Sequence, residues 1–396
     1  MTADTSDRRL SVAELIEEAA ARAGEWEVDV PFAATLGLLV ESSRRSGALN
    51  DTGQVVLQKA AVRHLRNLRQ LESWVAGHPE VADIDLGRPV VVTGLPRTGT
   101  TLLHHLLSLD PAHRVLRFWE ALHPVPSGAG GPSPEARQAQ AGRWLDAFYR
   151  LVPDFQAVHR ATPTGPEECD ALLQNTFASQ HFDDMFDAPD YSTWLAGAPL
   201  TDEYRHFARQ LRVLSTTPAS GSPVPGGSGG TWALKSPSHL GHLDALLDAL
   251  PGATVVLCHR RPHEAVASYA SLIATLRRAY SNSVSPATVG GQALTRATTA
   301  MQRALDVRDT TDPARFVDIS YPALVEDPIR VVRAVYRRLG RQLAPAVEEE
   351  MQRWVLANPR HKHGAHRYDL ARFGLTPEEV DAAFERYTTR FGDLTG

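Results

Sequence analysis

Apolar positions in the first 85 or so residues recur with helical spacing. Over 54–76, Leu57, Ala61, Leu65, Leu68, Leu71 and Val75 fall near one face, and arginines occupy the others. Ser11 followed by Glu14 has the form of a capping box, and Gly24 suits a helix end. These signals predict an N-terminal helical segment over 1–85, packed as a layer on a larger domain over 86–396.

The pattern then changes. Residues 89–93, PVVVT, form a short apolar run of mostly β-branched residues, as a buried parallel strand requires. A helix is expected over 99–109. Three further strands are expected at Trp232–Leu234, Thr254–Cys258 and Phe316–Ile319, leading into helices near 238–249, 262–278 and 328–339. Strands alternating with helices imply an α/β fold: a central parallel sheet with helices on both faces. Residues 120–215 read as a mostly helical, aromatic-rich insertion, expected to form a lid over the sheet's carboxyl edge. The Pro/Gly/Ser-rich stretches 124–134 and 216–230 read as loops.

Composition narrows the function classes. The 396-residue chain is 43% hydrophobic and 22% charged, with a formal net charge of −5. As a whole it is not a basic adhesive for nucleic acid or anionic lipid, so any anion must meet a local cation cluster. Cys169 and Cys258 make no disulfide framework. The N-terminus lacks the apolar core of a signal peptide, and no apolar run approaches the roughly 20 residues of a membrane span. A cytoplasmic location is expected. Among 41 basic residues the lysines are Lys59, Lys235 and Lys362. Arginine is therefore common background here, whereas a lysine in a suggestive motif is informative.

The strongest local motif is VVVTGLPRTGTTLLHHLL, residues 90–107. A strand running through a glycine turn into a helix aims backbone N–H groups and the positive helix end at an anion. Gly94 and Gly99 have P-loop spacing, but Thr100 and Thr101 follow where a nucleoside triphosphatase has Lys and then Ser or Thr. Arg97 sits inside the loop instead. This argues against Mg²⁺-dependent ATP or GTP hydrolysis and suits an anion held by amides, hydroxyls and a guanidinium. A second cluster, His259-Arg260-Arg261-Pro262, ends a strand where a helix opens, with Ser268 about two turns into that helix.

Together these segments resemble the sulfotransferases that use 3′-phosphoadenosine 5′-phosphosulfate (PAPS), over about residues 88–392. The pattern is similar to the bacterial group with arginine in the first loop. In that family a P-K/R-x-G-T-T loop binds the 5′-phosphosulfate; here it is Pro96-Arg97-Thr98-Gly99-Thr100-Thr101. The family's R-x7-S element for the 3′-phosphate matches Arg260 and Ser268. A Y-x2-L-x2-D-P segment matches 321–328 and implies that Tyr321 lies near the adenine. Lys362 and Arg367 are candidates for closing over the nucleotide. The resemblance implies sulfuryl transfer from PAPS to a hydroxyl of a small-molecule, lipid or glycan acceptor, releasing the bisphosphate PAP. It implies no metal and no nucleic-acid partner, and leaves the oligomeric state undetermined. An ATP-dependent small-molecule kinase and a non-catalytic nucleotide-binding scaffold stand as alternatives.

The family's K-T-H segment becomes Lys235-Ser236-Pro237-Ser238-His239, so its catalytic histidine does not transfer directly. Lys235 is expected to orient the phosphosulfate. Glu120, just past the loop's helix, is the favoured general base, and His239 the other candidate. The competing reading of Glu120 is an ion pair with Arg114 or Arg117. Asp183-Asp184-Met185-Phe186-Asp187 matches a D-D-x-x-D metal-diphosphate motif but is expected to be a solvated or lid-facing acidic patch. His361, His363 and His366 are expected to lie in a basic loop. The aromatics Phe148, Tyr149, Phe155, Phe177, Phe182, Phe186 and Trp194 suggest a partly apolar acceptor.

Overall fold

The structure, a computed structural model, describes residues 11–26, 30–46, 48–127, 131–158, 161–216, 230–359 and 369–396. Its centre is a five-stranded sheet in the order β2-β3-β1-β4-β5. The strands are β1 (Val90–Gly94), β2 (His113–Arg114), β3 (Thr231–Lys235), β4 (Thr254–His259) and β5 (Phe316–Ser320). All pairings are parallel, with Val91 opposite both Leu234 and Val255. Every residue of β1 is buried, because helices cover both faces of this central strand.

The sheet's two faces feed different apolar clusters. Val91, Leu234, Val255 and Leu257 join the larger one, to which the N-terminal helices α1 (Val12–Ala23), α2 (Ala33–Ser46) and α3 (Asp51–Gly77) contribute Leu15, Leu36, Leu57 and Leu65. Val90, Val92 and Val256 join the other, with Leu103 and Leu106 of α4 (Thr100–Leu107) and Val332 and Val335 of helix Pro328–Arg338. Strand alternation, with period two, sorts the side chains between them.

Ser11 and Glu14 form the expected capping box, and Gly24 ends α1 at φ 93°. Residues 238–249 are not one α-helix. Pro237–His242 form a 3₁₀ turn, and an α-helix follows at Leu243–Ala249. The two-residue edge strand β2 and the long helix Pro286–Thr310 were not anticipated. The 120–215 insertion is mostly helical, its longest segments being α6 (Pro134–Leu151) and Thr201–Ser215, after α5 (Phe118–Leu122). Of the 216–230 stretch, residues 217–229 lie outside the described residues.

The N-terminal layer is joined to the α/β body at the start of α3. The Asn50 side chain accepts from Gly53 N–H at 2.8 Å and donates to the Ala279 carbonyl at 3.2 Å. Its own N–H donates to the Tyr280 carbonyl at 2.9 Å. One residue thus caps α3 and satisfies carbonyls at the end of helix Pro262–Tyr280. Asn50→Ala is expected to cost about 1–2 kcal/mol, since it removes a cap and a tertiary hydrogen bond. A lower urea midpoint with an unchanged slope checks this.

Candidate active site

The glycine turn after β1 is shaped by steric necessity. Gly94 has φ 148°, and a Cβ there would sit 2.5 Å from the Cys258 carbonyl oxygen of β4. Thr98 donates its hydroxyl to the Leu95 carbonyl at 2.7 Å, closing the turn. Gly99, at φ 88°, forms the left-handed N-cap of α4. A Cβ on Gly99 would meet the Tyr321 ring at 2.9 Å. Arg97 itself has φ 71°, a conformation that costs a non-glycine residue energy and is held only by its surroundings.

Those surroundings come from distant sequence. Arg260 donates to the Arg97 carbonyl at 2.8 Å, and Arg97 Nε donates to Ser268 Oγ at 3.1 Å. The Arg260 guanidinium lies 4.4 Å over the Tyr321 ring centre and pairs with Glu264 at 2.9 Å. Arg97, Arg260, Ser268 and Tyr321 therefore meet around the amino end of α4. Two guanidiniums, a hydroxyl and the first N–H groups of a helix form a donor set that suits a phosphate-sized dianion.

Lys235 ends β3 and is buried, with its ammonium 3.3 Å from Thr101 Oγ1 and in an ion pair with Glu168. The chain from Glu167 to Cys169 is fastened beside it: Cys169 N–H donates to the Lys235 carbonyl and Glu167 N–H to the Leu116 carbonyl, both at 2.8 Å. Burial pushes the Glu167 carboxyl up to about 7. A cavity of about 970 Å³ opens over this cluster. Its wall includes Arg97, Thr100, Thr101, Glu168, Arg260 and Tyr321, and continues into Phe148, Tyr149, Phe155, Phe182 and Phe186 of the insertion. Of the other two aromatics, Phe177 is fully buried and Trp194 packs against the core, neither on the wall.

Neither expected base lies on that wall. Glu120 is buried, and Arg114 grips its carboxylate with two bonds of 2.6 and 3.0 Å. The Arg117 N–H donates to it as well, at 2.9 Å. The pairing with Arg114 is thus what the structure brings about, because Trp232 of β3 supplies a ring 4.8 Å from that guanidinium and shields the pair from water. His239 is fully buried beneath helix Thr201–Ser215, with Nδ1 2.9 Å from the Tyr204 hydroxyl. Burial presses its imidazole down to about 3.

The residue that sequence reasoning missed is Glu168. Its only sequence signal is the Glu167-Glu168 doublet after the Gly165-Pro166 turn. In the acidic motif, expected to be solvated or lid-facing, Asp183 and Asp184 are both buried, and Asp184 lines the cavity. Arg296 pairs with both, and Arg277 pairs with Asp183 and Asp187. No cluster of potential metal ligands exists among the described residues. Lys362, Arg367, His361, His363 and His366 lie outside them.

The parallel sheet, the glycine turn from β1 into α4 and the helical cover over the strands' carboxyl ends define a P-loop-like α/β protein. The sulfotransferase family model matches residues 89–345, and the chain belongs to that family. Among solved structures, sulfotransferase STF9 from Mycobacterium avium is 28% identical, with a TM-score of 0.82 and 97% of each chain covered. Sulfotransferase STF1 from Mycobacterium tuberculosis H37Rv is 29% identical, with a TM-score of 0.78, over 95% of this chain and 98% of that one. The chain is also 23% identical over 310 residues to the omega-hydroxy-beta-dihydromenaquinone-9 sulfotransferase Stf3 of Mycobacterium tuberculosis, covering 76% of this chain and 74% of that one.

Removing one partner from a buried pair leaves an uncompensated charge. Glu120→Ala is therefore expected to destabilise the fold by about 3–5 kcal/mol, while turnover per folded molecule is retained. Urea unfolding and assay of the folded fraction check the two halves separately.

Proposed function

We propose that this protein transfers a sulfuryl group from PAPS to a hydroxyl of an apolar, lipid-like acceptor and releases PAP. One observation carries the reading. A single cavity is lined at one part by the arginine-rich glycine turn and at another by the aromatic rings of the insertion. An anionic donor and an apolar acceptor can therefore share one solvent-shielded space. The Mycobacterium tuberculosis relative is named for a hydroxylated menaquinone, which supports an acceptor of this class.

In this reading Arg260 and Ser268 address the 3′-phosphate, and the Tyr321 ring packs near the adenine. Arg97, Thr98, Gly99, Thr100 and Thr101 cradle the 5′-phosphosulfate. The acceptor oxygen attacks sulfur, the bond between sulfur and the phosphate oxygen breaks, and the electron pair leaves on that oxygen. The growing charge meets Arg97 and the Lys235 ammonium, which is held beside Thr101. The acceptor's proton passes to Glu168, a carboxylate on the cavity wall already paired with Lys235. Glu168 replaces Glu120 and His239 in this role because a base must come within hydrogen-bond reach of the attacking hydroxyl.

Transfer of radiolabelled sulfate from PAPS to a lipid extract tests the reading, and it is expected to persist in excess EDTA. Transfer that vanishes on chelation and returns with Mg²⁺ would overturn it. Glu168→Gln is expected to lower kcat by about 10²–10⁴-fold with PAP affinity retained, read by calorimetry beside the assay. Arg260→Ala is expected to weaken PAP by about 10–100-fold and AMP far less, since charge-assisted bonds contribute about 1.5–3 kcal/mol. Equal losses for PAP and AMP would remove Arg260 from the 3′-phosphate.

A further inference from the structure

The large apolar side chains left exposed among the described residues are Val55, Trp144, Leu151 and Leu356. A scatter of such residues over the surface would need no explanation. These are not scattered. Trp144 and Leu151, each 37% exposed, belong to the cavity wall itself. Val55 lies one helical turn before the wall residue Lys59, whereas Leu356 belongs to the separate helix Pro345–Ala357. Three of the four exposed apolar side chains thus belong to two helices that border the acceptor cavity.

Two helices build the part of this rim that concerns us. On α6, Trp144, Ala147, Phe148 and Leu151 recur at helical spacing and all line the cavity. The Trp144 ring stacks on Phe148 at 5.4 Å, so the exposed indole is continuous with the internal aromatics. On α3, Val55, Lys59 and Arg63 follow one another at four-residue spacing, and the last two also line the cavity. Arg63 places its guanidinium 5.7 Å from the Trp144 ring centre, which joins the two helices at the rim.

The charges here differ from those of the chain as a whole. The protein carries a net charge of −5. Around this rim, however, Lys59, Arg143 and Arg150 are exposed and Arg63 sits between the helices, against the exposed acids Asp51, Asp146 and Asp154, which leaves cations in slight excess. A locally cationic rim with protruding apolar side chains is complementary to an anionic bilayer surface. Tryptophan has the amphipathic shape that favours the headgroup region. No helix among the described residues is long and apolar enough to cross a membrane, so such contact would be peripheral.

We propose that the α3–α6 rim is a docking surface for anionic lipid bilayers, through which the acceptor passes from the membrane into the cavity. The docking rests on the rim alone; the passage of acceptor rests on the apolar-acceptor reading above. An amphiphile would then enter with its hydroxyl leading past Trp144 and Leu151, the hydroxyl stopping near Glu168 and the apolar tail lying along the aromatic wall back to the membrane.

Co-sedimentation with vesicles tests this without any turnover. The intact protein should bind vesicles of phosphatidylcholine mixed with phosphatidylglycerol, bind pure phosphatidylcholine more weakly, and release from the mixed vesicles as salt rises. Val55→Asp/Leu151→Asp should weaken binding at least about tenfold, because two apolar side chains that would enter the bilayer surface are replaced by charges. Lys59→Glu/Arg150→Glu should abolish the preference for anionic vesicles. PAP binding by each variant, measured in parallel, verifies folding, since none of these residues adjoins the arginine loop. Absence of wild-type binding to anionic vesicles would overturn the proposal, as would variants that bind like wild type. So would ultracentrifugation showing a wild-type dimer that the variants dissociate, which would make the rim a self-association surface. Failure of PAPS-dependent transfer to a detergent-dispersed lipid extract, with vesicle binding intact, would instead count against the acceptor reading.

Discussion

A Cβ on Gly94 would lie 2.5 Å from the carbonyl oxygen of Cys258, so β1 and β4 can run side by side to their ends only because that atom is missing. The close approach sets where each strand releases its chain. From β1 the chain turns through Arg97 into α4; from β4 it passes through Arg260 into helix Pro262–Tyr280. The two loops then stand near enough for Arg260 to hold the Arg97 carbonyl and for Arg97 to reach Ser268. Arg97 keeps its left-handed backbone because this second loop holds it. The arginine cluster, the placement of Tyr321 and the floor of the cavity all follow from that parallel contact.

The helical cover is secured by a different device, desolvated charge. Arg114 with Glu120, Lys235 with Glu168, and Arg277 and Arg296 with the Asp183-Asp184 pair each join the insertion to the α/β body or to its long helices. Buried pairs contribute little net stability compared with a well-packed apolar contact, since desolvation offsets much of the attraction. They do penalise every arrangement in which a partner is lost. Such pairs suit a cover that must leave a large apolar cavity open instead of filling it with packed side chains. The buried histidines serve the opposite purpose. His104, His206, His239 and His242 are each held neutral by burial, near 3, and the first three add hydrogen bonds without charge.

The same cavity accounts for the exposed apolar residues. The wall of Phe148, Phe155 and Phe182 is continued outward by Trp144 and Leu151. The surface cations beside them stand in a chain whose overall charge is negative. Interior chemistry and exterior surface are thus two ends of one apolar path.

Much of this was legible along the chain. Short β-branched runs marked β1 and β4, because a central parallel strand is apolar on both faces, and Phe316, Val317 and Ile319 marked the edge strand β5 although Asp318 interrupts its run. The glycine spacing with Arg97 and the Arg260–Ser268 interval marked the arginine cluster at the head of α4, since both are local constraints of a strand end and a helix start. Strand β2 was illegible because two residues carry no periodicity. The nature of D-D-x-x-D, Glu120 and Glu168 was illegible for a deeper reason. Whether a carboxylate is solvated, paired or poised against a substrate depends on which cation folding brings to it. Arg296 reaches Asp183 from a helix more than a hundred residues away, and Lys235 reaches Glu168 from β3. Residue type and local spacing therefore determined the fold class, the glycine turn and the family. Only the tertiary structure decided which carboxylate faces the cavity, because burial and charge pairing are properties of neighbours that the chain order does not contain.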